Sequence, residues 1–266
     1  MRLVEGKRAA RVERITLEGH GGAAVEAVHA RPDGEPTGGL VLHPDVMGIR
    51  PLFDDLCRRV ATHGFAVCAP EPFARLPNDQ RATLDAAGRL ARVPDLRDDD
   101  QLGDLAAAGD YLRATDGAGT VSVVGFCMGG MYTLKAAATG AFDRAVPFYG
   151  MIRVPEAWRG PSLREPLETA ADAVPTLAIF GDQDPWTPAA DIEALGAVWA
   201  GRPDHEIVVY PGADHGFVHD PDRPAHRPDD AADAWRRALA FLGVAVRGSL
   251  GPRGPGGRRS GSGCGP

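Results

Sequence analysis

Between Val12 and Leu242, short apolar runs rich in β-branched and aliphatic residues alternate with longer stretches of helical period. The runs predict strands over 12–17, 24–30, 39–43, 66–69, 120–124, 144–148, 175–180 and 206–210. The longer stretches predict helices over 51–63, 98–114, 129–139, 189–200 and 229–242. In the first of these, Leu52, Leu56, Val60 and Ala61 recur on one side, with Asp54, Asp55, Arg58 and Arg59 on the other, as in a helix lying on a sheet. Strand and helix in alternation argue for βα units around a mostly parallel sheet. The first two strands are expected to form an antiparallel hairpin across His20, Gly21 and Gly22.

The pattern stops at Arg247. Residues 247–266 hold eight Gly, three Pro, three Ser and four Arg, too little apolar surface to offset the entropy of ordering, so a disordered tail is expected there. No internal repeat and no earlier shift in composition divides residues 1–246, which are read as a single domain. Of 266 residues, 36 are acidic and 29 basic. Four of the basic ones lie in the tail, so the body is more acidic than the whole chain and nucleic-acid binding gains no support.

The N-terminus is positively charged but has no apolar stretch behind it, so no secretory signal is expected. There is no apolar run of about 18 residues to span a membrane, and a cytoplasmic protein is the default. Four cysteines, at 57, 68, 127 and 264, lack the spacing of a metal site or CxxC motif and are too few for a disulfide scaffold. No metal and no cofactor is expected. Cys57 and Cys68 fall in a helix and a strand and read as buried small hydrophobes.

Candidate chemistry concentrates where a predicted strand runs into a predicted helix through Gly125-Phe126-Cys127-Met128-Gly129. This is a GxSxG nucleophile elbow with Cys in place of Ser. A nucleophile on so tight a turn takes a strained backbone, so small residues are needed two before and two after it. The helix behind the turn points its positive end at the sulfur and favours the thiolate. A buried structural Cys in a Gly-rich turn has the same local sequence; position between strand and helix favours catalysis.

A nucleophile of this kind needs a base and an acid that orients it. The strand ending at Phe180 is followed by GDQDPWTP, with Asp182 and Asp184; the next runs into YPGADHGFVHD, with Asp214, His215 and His219. Nucleophile, acid and histidine thus follow in the order of the α/β-hydrolases. His43, at the end of the third strand, reads as a structural histidine, and Phe73, Phe126, Tyr149 and Trp186 could wall a substrate site or belong to the core.

With VVGFCMGG, IFGDQDPWTP, YPGADHGFVHD and HPDVMGIRPLFDDLCRRVATHGFAVCAPEPFAR, the stretch from Gly38 to Leu242 resembles the dienelactone hydrolases of the α/β-hydrolase superfamily. The resemblance implies an α/β-hydrolase fold with N-terminal antiparallel strands, helices on both faces of the sheet, and hydrolysis of a small ester or lactone through a thioester. It implies Cys127 as nucleophile, His215 as base, Asp184 (ahead of Pro188) as orienting acid, and an oxyanion hole from the N–H groups of Val46 and Met128.

Two positions depart from the family pattern. Where relatives that cleave dienelactones carry a Glu paired with the thiol, this chain has Asp45, which either pairs with Cys127 or is a turn residue after Pro44. Four residues after the histidine, where such relatives place an arginine for the substrate carboxylate, stands His219, a weaker anion anchor. Arg81 and Arg92 are candidates for the other arginine that such relatives use, and Trp186 for an apolar contact. A general carboxylesterase or thioesterase, and a ligand-binding protein without turnover, are the rival readings. The expected partner is a small ester or lactone, in a monomer or weak oligomer that binds neither nucleic acid nor membrane.

Overall fold

The structure is a computed structural model that describes residues 3–244. The expected disordered segment 247–266, with Cys264, lies outside the described residues.

Eight strands form one sheet: β1 (Ala10–Glu18), β2 (Ala24–Pro32), β3 (Gly38–His43), β4 (Phe65–Pro70), β5 (Val121–Phe126), β6 (Ala145–Phe148), β7 (Thr176–Gly181) and β8 (His205–Tyr210). Their spatial order is β1-β2-β4-β3-β5-β6-β7-β8. The first two pair antiparallel, from Ala10 opposite Pro32 to Glu18 opposite Ala24. The expected His20–Gly22 turn joins them, with Gly21 and Gly22 both at positive φ. β2 also runs antiparallel to β4, while every pair from β4 through β8 is parallel. This is the mixed sheet of an α/β-hydrolase fold.

Every residue of β3, β4, β5, β6 and β7 is buried, so both faces of the sheet's centre are covered. The outermost β1 instead alternates, with Arg11 and Glu13 among its polar positions.

Among the described residues eight α-helices accompany the sheet: α1 (Pro51–Ala61), α2 (Asn78–Thr83), α3 (Ala86–Leu90), α4 (Asp98–Asp116), α5 (Met128–Ala136), α6 (Pro166–Thr169), α7 (Ala189–Val198) and α8 (Pro228–Phe241). The five long ones sit where the periodicity places them, with ends shifted by up to three residues. The buried stripe of α1 differs in detail from its expected face: Phe53, Leu56, Cys57, Val60 and Ala61 are buried and Leu52 only half so. The short α2, α3 and α6 are too brief to show a helical period. Among the described residues no helix is long and apolar enough to cross a membrane.

β3 is followed by β4 on one side in space and flanked by β5 on the other, so the chain reverses its direction of travel across the sheet there. A crevice opens at such a switch, outside the carboxyl ends of the parallel strands. The loops after β3, β5, β6, β7 and β8 all leave from that edge.

Candidate active site

The turn between β5 and α5 is built by close approach. Cys127 takes φ 57° and ψ −119°, a region costly for a residue with a Cβ, and its N–H donates to Phe148 O at 3.1 Å. A Cβ on Gly125 would lie 2.2 Å from Gly129 O and 2.4 Å from Thr133 Oγ1. One on Gly129 would lie 2.3 Å from the carbonyl oxygens of both His43 and Pro44, and one on Gly130 2.6 Å from Phe148 O. The glycines of GFCMGG therefore let α5 press against both β6 and the loop after β3. That contact brings the N–H groups of Met128 and Val46 to the same end of the sheet as the Cys127 sulfur. Neither N–H donates to a protein acceptor among the described residues.

The loops after β7 and β8 meet in a second constellation. Asp184 is buried, its Oδ1 accepts the Trp186 N–H at 2.8 Å, and its Oδ2 lies 2.8 Å from His215 Nδ1. Asp182 is exposed and accepts the Gly212 N–H at 2.6 Å, so it ties the two loops together while Asp184 holds the histidine.

His215 Nε2 is buried and makes no hydrogen bond of ordinary geometry to another protein group. Burial alone would lower the His215 pKa; negative charge on Cys127 and the hydrogen bond that Nδ1–H donates to Asp184 more than offset it and raise the pKa to about 10. The His215 ring thus interacts with Asp184 through Nδ1 and with the Cys127 side chain as well.

Asp45 does not pair with the thiol. Its Oδ1 accepts the Met47 N–H at 3.0 Å and Arg50 Nη1 at 2.7 Å, and its Oδ2 accepts Arg50 Nη2 at 3.0 Å and His219 Nε2 at 2.8 Å. A carboxylate has about four lone-pair sites, so none is left for Cys127. Burial alone would raise the pKa, but His219 and Arg50 hold the carboxyl well below the usual carboxylate range.

His219 is not a free anion anchor either: it is buried, with Nε2 on Asp45 and Nδ1 on the Tyr149 hydroxyl. Burial keeps its pKa below the ordinary histidine value, so the ring is neutral near pH 7.

Arg81 is also absent from the site. Its guanidinium pairs with Glu26 and Asn78, at the side of the molecule formed by β2. Arg92 pairs with Asp95 at the surface. Of the four aromatics considered, Phe73, Phe126 and Tyr149 are fully buried in the core, whereas Trp186 is 36% exposed, stacks on Trp158 at 5.2 Å and lies 6.2 Å from the His215 ring. His43 is structural, engaged by Pro44 O and Gln101 and stacked on Tyr132. Cys57 and Cys68 are buried free thiols whose pKa burial pushes up. Among the described residues no group of three or more His, Cys, Asp or Glu side chains could hold a metal ion.

Three residues of the site carried no motif signal. Tyr149 and Arg50 join the Asp45–His219 pair, and Arg223 lies with Asp214 and Arg227 around a cleft of about 530 Å³ beside His215. Arg227 is bonded to Asp230 and to Gly212 O, but the Arg223 guanidinium makes no ion pair among the described residues. Arg223 lies eight positions beyond His215 in a Pro-rich loop, where only the folded chain shows what it faces.

The sequence pattern of the Dienelactone hydrolase family matches residues 25–246. The chain is 34% identical over 236 residues to the protein of Escherichia coli (strain K12) named "Putative carboxymethylenebutenolidase", covering 83% of each. It superposes with a TM-score of 0.79 on the crystal structure titled "Putative Dienelactone Hydrolase" from Klebsiella pneumoniae, at 29% identity, over 88% of this chain and 98% of that one. A dienelactone hydrolase-like promiscuous phosphotriesterase from metagenomic libraries shares the fold at TM-score 0.65 and 20% identity, over 89% of this chain and 99% of the other.

Proposed function

The chain belongs to the dienelactone hydrolase family, and from that premise we propose that it hydrolyses a small ester or lactone by acyl transfer to Cys127. The family makes it a hydrolase of ester or lactone bonds. The finer reading, a Cys127–His215–Asp184 triad with a thioester intermediate, is supported by one arrangement: Asp184 holds His215 by Nδ1, Nε2 is left without a protein partner among the described residues, and the ring interacts with Cys127 on its strained turn.

In this mechanism the resting pair is a Cys127 thiolate and a His215 imidazolium. The sulfur adds to the carbonyl carbon, and the electron pair of the C=O bond moves to oxygen, where the N–H groups of Val46 and Met128 receive it. The tetrahedral adduct collapses, the C–O bond to the leaving group breaks, and the leaving alkoxide takes the Nε2 proton of His215. Neutral His215 then removes a proton from water as that water adds to the thioester. Collapse expels the thiolate and restores the imidazolium, with the product acid released. From a lactone, alkoxide and acyl group stay on one molecule, and the product is a single hydroxy acid.

Relatives are named for a butenolide carrying a carboxymethylene group. A carboxylate on the substrate of this chain would find Arg223, a cation in the cleft beside His215 that makes no ion pair among the described residues. Trp186 offers an exposed ring on another side of the same histidine.

The test is turnover of p-nitrophenyl acetate and of lactones with and without a carboxylate. Wild type is expected to show a burst of acylation and to lose activity in step with carbamidomethylation of Cys127, mapped by peptide mass. Cys127→Ala is expected to be inactive. A Cys127→Ala variant hydrolysing at the wild-type rate would exclude the thioester route, and saturable lactone binding without product would favour a ligand-binding protein.

A further inference from the structure

We propose that Asp45, His219 and Tyr149 form a buried clamp that fixes the loop carrying the Val46 N–H against the loop carrying His215, making all three positioning residues for acyl transfer. This rests on the function proposed above and concerns how its parts are held in register.

The clamp spans three pieces of chain: the segment after β3, the residue that follows β6 and the loop after β8. Asp45 lies in the segment between β3 and α1, beside Val46. It shapes that segment from within, since its side chain accepts the Met47 N–H and its backbone oxygen accepts the Gly48 N–H at 2.9 Å. Val46 stands between the residue that supplies the carboxylate and the residue bonded to it. Moving Asp45 therefore moves the Val46 peptide.

His219 comes from the loop after β8, four residues beyond His215. Its ring stacks on Phe126 at 4.8 Å, directly before the nucleophile, so the same imidazole touches the elbow as well. Tyr149 follows β6 at φ 38°, a conformation costly for a tyrosine and held by its N–H on Ile179 O at 2.7 Å. Its ring meets the His215 ring edge-on at 5.3 Å and its hydroxyl meets His219 Nδ1. A parallel link, Arg50 to Asp220 at 3.8 Å, joins the same two loops.

One consistent set of protons satisfies the chain of contacts. The Tyr149 hydroxyl donates to Nδ1 of neutral His219, Nε2–H donates to Asp45, and Arg50 donates to both carboxylate oxygens. Each donor meets an acceptor, so the geometry is over-determined, which is what holding one oxyanion donor within a fraction of an ångström requires.

A clamp that acts on the oxyanion donor and not on the thiol makes a specific demand. Breaking it slows acyl transfer, because the Val46 N–H matters only as charge develops on the carbonyl oxygen. It leaves alkylation of Cys127 by iodoacetamide unchanged, because that reaction uses the thiolate and no oxyanion hole. The experiment compares wild type with Tyr149→Phe, which removes only the hydroxyl, and Asp45→Asn, which removes the charge and replaces one of the two accepting oxygens with an NH2 donor. Melting temperature is recorded to confirm folding.

The expected result is a fall in kcat of about 10- to 100-fold with KM and the alkylation rate constant within about twofold of wild type. Unchanged kcat in a folded Tyr149→Phe variant overturns the proposal. So does a change in alkylation rate matching the loss of kcat in either variant, since the group would then act on the thiol. A wild type inactive on every ester overturns the parent reading as well, whereas an active wild type with indifferent variants overturns the clamp alone.

Discussion

His215 Nδ1 lies 2.8 Å from Asp184 Oδ2, although 31 positions separate the two residues in sequence. The bond holds the ring by Nδ1 and leaves Nε2 as the nitrogen available for the proton exchange proposed above. Asp184→Asn keeps the shape but offers an amide donor to Nδ1 in one rotamer and removes the negative charge in either. Activity on p-nitrophenyl acetate is expected to fall about 10²- to 10⁴-fold, with the fold intact by circular dichroism.

The raised His215 pKa gives a pH signature. A histidine whose folded value, about 10, stands above its ordinary 6.5 adds stability that is fully present below about pH 6.5 and is lost as pH rises through about 10. NMR of the His215 ring, assigned by comparison with His215→Gln, is expected to show imidazolium through pH 8. In Cys127→Ser the opposing charge is gone while burial and Asp184 remain, so the midpoint is expected to fall below the wild-type value. Urea denaturation should then show wild type losing more stability between pH 7 and pH 10 than the serine variant does.

The glycines around the elbow are spatial requirements. A Cβ on Gly130 would sit 2.6 Å from Phe148 O, and one on Gly150 2.2 Å from the Gly130 carbonyl carbon. Gly130→Ala is expected to cost about 1–3 kcal/mol or more by forcing α5 off β6. At Gly119, where nothing lies within 4 Å of the added carbon, alanine is expected to change stability by no more than about 0.5 kcal/mol. Chemical denaturation of the two variants checks the contrast.

If Arg223 receives a substrate carboxylate, Arg223→Ala should raise KM for a carboxylate-bearing lactone or ester about 10-fold or more, the worth of a charge-assisted hydrogen bond. KM for neutral p-nitrophenyl acetate should stay unchanged. Equal effects on both substrates would instead assign Arg223 to holding the loop after β8.

Much of the site was legible because its requirements are local. Gly125, Cys127 and Gly129 declare a strand-to-helix turn through their spacing, and Asp184 and His215 stand directly after apolar runs that read as strands. The roles of Asp45, His219 and Arg81 were not legible, because each depends on partners distant in sequence. Asp45 meets His219 across 174 positions, and Arg81 meets Glu26 across 55. A side chain's type shows what it can bond to, whereas the fold decides what reaches it first.

The sequence by itself determined the alternation of strands and helices, the tight turn at Cys127 and the placing of Asp184 and His215 after later strands, because periodicity and steric demand act over a few residues. Only the tertiary structure decided that the Asp45 carboxylate is saturated by Arg50, Met47 and His219, that Arg81 is drawn away to Glu26, and that Arg223 makes no ion pair among the described residues. Those outcomes are competitions for a limited number of donors and acceptors, and they are settled only when distant loops are packed against the same edge of the sheet.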